Sequence, residues 1–101
     1  MADRYEAALA DVSDVTLPRN YEGIRHARHL FPIFVADGMR DKVIADLQAA
    51  GVGCVVNYRA IHLLTWFRET FEYRSGDFPI AERLGDQVLS LPFYPRMPHD
   101  H

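Results

Sequence analysis

The part of the sequence that most constrains the fold is a strand–helix–strand pattern across residues 29–58. Residues 29–35 are apolar and partly aromatic and predict a strand; Pro32 cannot donate a backbone hydrogen bond, so we expect it at a sheet edge or opposite a gap in pairing. Apolar residues at helical spacing then predict a helix over residues 39–50. Residues 52–58 are rich in valine and predict a second strand. This order favours a βαβ-like or a split α+β unit.

Both ends of the predicted central helix carry residues that favour helix termini. Asp37 has the short polar side chain preferred at the N-cap, so we expect it to cap the first turn. Gly51 follows two alanines, and we expect it at the C′ position in left-handed geometry, which glycine adopts without steric strain. These signals make this helix the best-defined element of the sequence.

Three further helices, a loop and a short strand are predicted outside this segment. Their bounds are residues 3–12, 61–71 and 79–87 for the helices, 13–23 for the loop and 88–91 for the strand. Pro79 suits the first position of a helix, where a backbone N–H lacks a partner in any case. We expect this last helix to bury Ile80, Leu84 and Val88.

The predicted fold class is α+β, with a small sheet of about three strands covered by helices on one face. Such a sheet leaves its other face open, so that face is either polar or packs on something outside this chain. Residues 52–58 alternate only weakly, because Val55, Val56 and Tyr58 are all large. This weak alternation favours a face that packs on another unit.

Length, charge and cysteine content narrow the class of protein. The 101 residues, 49% of them hydrophobic and 25% charged, fit one globular domain. A formal net charge of −3 argues against affinity for nucleic acid or an anionic membrane, and no apolar stretch approaches the roughly 18 residues of a membrane span. Cys54 is the only cysteine, which excludes an intramolecular disulfide and fits the cytoplasmic location that we expect.

Nucleophilic and metal chemistry have little support in the sequence. Cys54 lies in an apolar segment, and Ser90 lies between leucines without the glycine-flanked turn of a hydrolase, so we expect both to be buried structural residues. His26 and His29 have no carboxylate at a recognisable ligand spacing. We therefore expect no metal site.

Tyr58, Arg59 and His62 are the candidate binding residues. They place a phenol, a guanidinium and an imidazole at the end of a predicted strand and in the turn after it, a common location for ligand contacts. The alternative is that His62 caps a helix and packs at the surface. The aromatic residues that follow are Trp66, Phe67, Phe71, Tyr73 and Phe78. No excess of basic residues accompanies them, which favours a core or an interface over a base-stacking platform.

Three motifs occur in order along the chain: GVGCVVNYRAIH at residues 51–62, FPIAER at 78–83 and VLSLPFYPRM at 88–97. They resemble the GIGTxVHYxPxH, xPxAE and xLSLPxxPxM stretches of the DegT/DnrJ/EryC1/StrS aminotransferases. Residues 29–33 resemble the strand that opens the small domain of those enzymes. Members of this family use pyridoxal 5′-phosphate (PLP) to aminate nucleotide-linked keto-sugars.

Two details of the first motif refine this resemblance. The sequence around Tyr58, Arg59 and His62 most closely resembles the branch that makes 4-amino-4-deoxy-L-arabinose on a uridine nucleotide. Asn57 stands where the family commonly has histidine, so the sequence departs from the family pattern at that position.

The resemblance implies that residues 1–101 are a single domain, like the C-terminal small domain of fold-type I PLP aminotransferases. We expect a C-terminal fragment of a longer chain. In the family, a large N-terminal domain holds the PLP-binding lysine, the carboxylate that faces the pyridine nitrogen and the phosphate cradle, and none of these occurs in this chain. The resemblance also leads us to expect a further helix after residues 88–97, as in the family, beyond residue 101.

The resemblance further implies a role in making a sugar for a surface polysaccharide or for lipid A. Within the complete enzyme, Tyr58, Arg59 and His62 would face the sugar-nucleotide substrate, and the Arg59 guanidinium suits a phosphate or a carboxylate. The expected partners are the missing large domain, a second protomer in a homodimer and the substrate. We expect no nucleic-acid or membrane partner.

Lys42 is the only lysine among 11 basic residues, and transamination requires a lysine that forms a Schiff base. Lys42 lies in the predicted central helix near Asp41 and Asp46, and neighbouring carboxylates favour its charged form, which is the opposite of what catalysis requires. We therefore expect a surface residue, no catalytic or cofactor-binding residue in this chain, and an inactive isolated domain.

Two other functions stay open at this point. The chain is alternatively a free-standing, non-catalytic domain that uses the same apolar surface for dimerisation or for binding a partner. A weaker alternative is a metal binder that uses His99 and His101.

Overall fold

Residues 1–98, the part that a computed structural model of the chain describes, contain four α-helices, one 3₁₀ helix and three strands. In chain order these are α1 (Ala2–Leu9), β1 (Val15–Thr16), β2 (Phe31–Val35), α2 (Arg40–Ala49), the 3₁₀ helix (Ile61–Leu63), α3 (Thr65–Phe71), α4 (Pro79–Gln87) and β3 (Val88–Leu91). The helices predicted at residues 3–12 and 39–50 are confirmed as α1 and α2, with slightly different ends.

The three strands form one antiparallel sheet in the order β1, β2, β3, so β2 is central. Val35 lies opposite Val15, and Pro32 lies opposite Ser90. This arrangement confirms the predicted α+β class with a small three-stranded sheet. The βαβ-like alternative is wrong, because that unit requires parallel strands. Pro32 is not at a sheet edge, but it lies beyond the end of β1, which pairs only with Phe34 and Val35.

The strand predicted at residues 52–58 is wrong. Within this segment, all of it described by the structure, Val55 alone pairs with the sheet, through an isolated bridge to Ser90. The Ser90 N–H donates to the Val55 carbonyl at 2.8 Å, and the Val55 N–H donates back at 3.3 Å. The chain then leaves the sheet, and its backbone at Ala60 lies against Gly85 of α4. The remaining strand is instead β1, inside the segment predicted to be a loop.

Side chains alternate along β2 and give the sheet two different faces. Phe31, Ile33 and Val35 are buried on one face. Together with Cys54 and Leu89 they form the core, and α1 and α2 pack against it. We call this the closed face; burial of its apolar side chains away from water is the main stabilising contribution in the domain.

The opposite face of β2 is only partly covered, and we call it the open face. Pro32 and Phe34 are half-buried there and, with Val88 of β3, line a cavity that α4 borders. The prediction that helices cover one face is therefore wrong for α4, which lies on the second face.

A tertiary contact replaces the predicted N-cap of α2. The first turn has no side-chain capping bond and its N-cap residue is Met39, so the expectation for Asp37 is wrong. The Asp37 carboxylate instead accepts a hydrogen bond from the side-chain amide of Gln87, which ties the loop before α2 to the end of α4. The prediction for Gly51 is confirmed, because its φ is 82°, in the left-handed region.

The helix predicted at residues 61–71 is divided in two. The 3₁₀ helix ends at Leu63, Leu64 is extended with a ψ of 142°, and α3 begins at Thr65. The break lets the first part follow the cavity wall while α3 carries its aromatic side chains along the cavity edge.

The predicted bounds of α4 and β3 are confirmed, with Pro79 at the first position of α4. Val88 is buried as expected. Ile80 and Leu84 are 67% and 40% exposed, so the prediction that both are core residues is wrong. The buried residue of α4 is Gly85, because this helix is held against the backbone of a neighbouring segment and not against a layer of large side chains.

Candidate functional site

A cavity of about 720 Å³ lies beside the open face of the sheet. Four parts of the chain border it and leave it open to solvent: the open face, residues 57–62, the aromatic end of α3 with the segment after it, and α4. Its wall is mainly apolar and includes Phe34, Phe67, Phe71, Tyr73, Phe78 and Leu84. This volume and lining suit a small organic ligand that has an apolar or planar part.

The three predicted binding residues all line this cavity, but at different depths. Tyr58 is 72% exposed and Arg59 is also exposed, so both side chains are free to contact a ligand from the rim. His62 is only 6% exposed and lies in the wall. The peptide bond between Asn57 and Tyr58 is cis.

His62 is held by a hydrogen bond and by aromatic contacts. Its Nε2 is 2.8 Å from Oε1 of Glu82 on α4. The rings of Phe78 and Tyr73 meet the imidazole edge-on, with centroids 4.9 Å and 6.3 Å away. The alternative of a helix cap at the surface is wrong for this residue, because its side chain is buried and has a defined partner.

Glu82 of α4 connects His62 in the 3₁₀ helix with the segment that precedes α4. Besides the bond with His62, its carboxylate accepts hydrogen bonds from the Gly76 N–H at 2.7 Å and the Ser75 hydroxyl at 3.1 Å. The hydrogen bond with His62 and then that from Gly76 hold the pKa of Glu82 below its ordinary value, because both stabilise the charged form. The sequence motif FPIAER includes Glu82, but spacing alone did not indicate its partner.

A continuous set of aromatic contacts extends from α3 to His62. Ring centroids are 5.0 Å apart for Trp66 and Phe67, 6.1 Å for Phe67 and Phe71, and 5.6 Å for Phe71 and Tyr73. Trp66 and Phe71 are largely exposed, so of the two predicted alternatives, a core or an interface, the core is excluded for both rings. The interface interpretation stays a prediction.

Arg40 is a buried residue near the site that sequence reasoning missed. Its guanidinium donates to the carbonyl oxygens of Gly85 at 3.0 Å and Val88 at 3.1 Å, and to the Asp41 carboxylate at 2.6 Å. It thereby satisfies carbonyl groups at the C-terminal end of α4 that lack partners within the helix. An arginine in the first turn of a helix carries no sequence signal for such a role.

Cys54 and Ser90 are both buried, which confirms the prediction that they are buried structural residues. Burial raises the pKa of the Cys54 thiol, which disfavours the reactive thiolate. Ser90 is buried in β3. Within the described residues, Ser90 Oγ and Asn57 Oδ1 are buried polar atoms without a hydrogen-bond partner.

Residues 1–98 contain no cluster of three or more side chains suited to a metal ion. His26 uses its Nδ1 to accept a hydrogen bond from the Arg28 N–H at 2.9 Å, and His29 is exposed. His99 and His101, the residues of the metal-binding alternative, lie outside the described residues. Over the same described range, no helix is long and apolar enough to cross a membrane.

The fold and the cavity define a small antiparallel α+β domain with an aromatic site beside one sheet face. The chain belongs to the DegT/DnrJ/EryC1/StrS aminotransferase family, whose sequence profile matches residues 1–101. This result confirms the family resemblance seen in the three motifs. Assignment to the arabinose branch stays a prediction.

Named relatives align over nearly the whole chain. The spore coat polysaccharide biosynthesis protein SpsC of Bacillus subtilis is 30% identical over 105 residues, and the alignment covers 99% of this chain and 27% of SpsC. The dTDP-3-amino-3,4,6-trideoxy-alpha-D-glucose transaminase of Micromonospora megalomicea is 32% identical, with the same coverage. The chain therefore spans about a quarter of the length of these relatives.

Solved structures of the family share this fold. DesV of S. venezuelae, crystallised in complex with a ketimine intermediate, matches with a TM-score of 0.87 and 28% identity. A family aminotransferase from Brucella abortus matches with a TM-score of 0.77 and 32% identity. Each match covers 98% of this chain and 26% of the larger chain. These likenesses confirm the predicted fold class.

Lys42 does not fit the role of a PLP-binding lysine. It is exposed on α2, its ammonium group is 2.6 Å from the Asp46 carboxylate, and it is not among the residues that line the cavity. A nearby carboxylate stabilises the charged amine, whereas Schiff-base formation requires the neutral amine. The prediction that Lys42 is a surface residue is confirmed.

Proposed function

We propose that this chain is the small domain of a PLP-dependent aminotransferase that acts on a nucleotide-linked keto-sugar. The observation that carries the proposal is that the family profile matches residues 1–101. Nearly the whole chain also aligns with about a quarter of the length of a sugar transaminase, the Micromonospora megalomicea enzyme. The names of the relatives support a product in polysaccharide or antibiotic-sugar biosynthesis. A lipid A sugar is the narrower form of the proposal.

The large domain supplies PLP and its lysine in this proposal. Lys42 does not suit that role, so no chemical step is assigned to residues of this chain. The contribution of the small domain is to bind the substrate and to exclude water from one side of it. We propose that the large domain packs over the open face, because the exposed aromatic side chains there are of the kind that protein interfaces bury.

Arg59 carries the electrostatic part of substrate binding in this proposal. It is the only arginine or lysine among the residues that line the cavity, and its exposed guanidinium suits a diphosphate. Tyr58, beside it at the rim, offers a phenol for stacking or hydrogen bonding. His62 contributes an imidazole edge in the wall, where Glu82 fixes its orientation.

Steady-state kinetics of the complete enzyme, made by joining this chain to the large domain of a family member, test the proposal. Arg59→Ala should raise the KM for the sugar nucleotide about tenfold, the effect of losing roughly 1.4 kcal/mol of charge-assisted hydrogen bonding. Arg83→Ala is the matched control, since Arg83 is exposed on α4 but does not line the cavity. Equal KM values for both variants would contradict the assignment of Arg59.

The isolated chain offers a second test, which addresses the free-standing alternative. We expect no turnover of a keto-sugar by residues 1–101 with added PLP, and no PLP adduct on Lys42 after reduction and mass spectrometry. We also expect self-association in solution, because several large apolar side chains that border the cavity beside the open face are exposed. A stable monomer that turns over substrate would overturn the proposal.

A further inference from the structure

Gly85 is placed where no other residue fits. A Cβ built on it would lie 2.6 Å from the backbone nitrogen of Ala60, and 3.2 Å from the carbonyl carbon of Arg59. Distances below 3.0 Å are essentially never seen for a real Cβ, so one of the two segments would have to move. The atoms it meets belong to the backbone and cannot turn aside as a flexible side chain can.

Backbone conformation does not explain this glycine. Gly85 lies inside α4 and is absent from the residues with positive φ, unlike Gly51 and Gly76. Gly53 provides the contrast, because it also lacks a positive φ and a Cβ there would meet nothing within 4 Å. The requirement at Gly85 is therefore for space between α4 and the segment that precedes the 3₁₀ helix.

A second residue of α4 holds the same segment three positions earlier. Residues three apart share one side of a helix, so Glu82 and Gly85 face residues 58–62 together. Gly85 receives the backbone at Ala60, and Glu82 binds His62 at 2.8 Å. On the other side, Arg40 donates to the Gly85 carbonyl at 3.0 Å and holds this end of α4 in place.

We propose that Gly85 and Glu82 are positioning residues, which hold residues 58–62 against α4. They thereby fix the positions of Tyr58 and Arg59 at the cavity rim. This inference rests on the proposed function, in which Arg59 contacts the substrate. Neither residue is assigned a contact with substrate. A shift of residues 58–62 by about 1 Å would move the Arg59 guanidinium relative to its ligand. Misplacements of that size reduce catalytic efficiency strongly.

The first experiment measures position in the 101-residue chain, without any ligand. In amide nitrogen–proton NMR spectra, Gly85→Ala should shift the resonances of Arg59 and Ala60, while those of Ile33 in the closed face and Val43 in α2 stay in place. Gly53→Ala should leave the resonances of all four unchanged. Resonance shifts of the same size throughout the domain, or no shift at Ala60, would contradict the proposal that Gly85 positions residues 58–62.

The second experiment is a double-mutant cycle in the complete enzyme. Gly85→Ala should raise the KM for the sugar nucleotide about tenfold when Arg59 is present, and should raise it little further in the Arg59→Ala background. A purely structural defect would add to the Arg59 effect and would lower kcat in both backgrounds. Additive effects would overturn the positioning role.

The two proposals fail differently in these experiments. If Arg59→Ala leaves the KM unchanged, the proposed function of Arg59 fails. The NMR result still decides whether Gly85 fixes the position of residues 58–62. If Gly85→Ala does not fold, Glu82→Ala replaces it in the same cycle. This substitution removes the hydrogen bond to His62, at the end of residues 58–62, without a steric clash. Glu82→Gln, which keeps a hydrogen-bonding group near His62, should restore most of the lost affinity, and failure of both Glu82 results would overturn the proposal.

Discussion

The two faces of the sheet differ in what their apolar side chains contact. On the closed face, Phe31, Ile33 and Leu89 are buried among residues of α1 and α2. Beside the open face, large apolar side chains that line the cavity, such as Phe71 and Phe78, remain exposed. The same types of residue therefore stabilise the domain on one side and offer a binding surface on the other.

This contrast separates stability from recognition within a small domain. Burial of apolar area lowers the free energy of the folded state only where water is excluded, which the closed face achieves with its own helices. An exposed aromatic surface contributes little to folding but a large amount when a partner or ligand covers it. Substitutions on the two faces should therefore affect different measurements.

The largest expected effect is on the closed face. Leu89 is fully buried, so Leu89→Ala should lower the free energy of unfolding by about 2–5 kcal/mol through lost burial and a cavity. Leu84→Ala, in the cavity beside the open face, should lower it by about 1 kcal/mol or less. Denaturant unfolding of both variants measures this, and similar losses would show that the open face is part of the stabilising core.

A smaller loss is expected at the link between the two faces. Arg40→Ala leaves the carbonyls of Gly85 and Val88 without their donor and should lower the free energy of unfolding by about 2 kcal/mol. The control is Arg83→Ala, at an exposed position, which should stay within about 0.5 kcal/mol of the wild type. A neutral Arg40→Ala would mean that water satisfies these carbonyls equally well.

The next effect concerns the pH dependence of stability. The pKa of Glu82 is lower in the folded chain than its ordinary value of 4.5, so its contribution is present above that pH and is lost as the pH falls through the folded-state pKa. Thermal unfolding of the wild type should therefore become easier in this acidic range. Glu82→Gln should show a flatter profile there, and a profile parallel to that of the wild type would argue against the carboxylate contacts.

The smallest effect is expected on the exposed side of α2. Lys42→Ala removes an exposed ion pair with Asp46, four residues later, and should change the free energy of unfolding by about 0.3–0.5 kcal/mol. Raising the salt concentration should remove this difference, because ions screen exposed charges. A loss above about 1 kcal/mol would show a buried role that the geometry does not indicate.

Sequence patterns were sufficient for elements whose ends have a local cause. The left-handed Gly51 ends the region of α2, and Pro79 starts α4 as predicted. β2 and β3 were identified because their apolar residues are bounded by glycine or proline. In each case neighbours in the sequence determine the conformation.

Patterns failed where a distant segment competes with local preference. Residues 52–58 have high strand propensity, yet they keep one bridge to Ser90 before turning toward α4. Asp37 suits an N-cap but binds the Gln87 side chain, far away in the sequence. Ile80 and Leu84 fit an amphipathic pattern, but the buried position of α4 is Gly85, a residue that hydrophobic spacing does not detect.

The candidate site was located by sequence but not assembled by it. Tyr58, Arg59 and His62 are close in sequence, so one motif was enough to select them. The residues that hold them, Glu82 and Gly85, follow 20 or more positions later, and no spacing rule connects them to the motif.

The sequence by itself determined the family, the α+β class and the lack of a suitable lysine, because each depends on residue types in linear order. Tertiary structure alone decided which apolar residues are buried, that His62 pairs with Glu82, and that α4 receives the segment before the 3₁₀ helix. Those outcomes depend on steric fit and hydrogen bonding between distant segments, whose energies exist only once the chain has brought the groups within a few ångströms of each other.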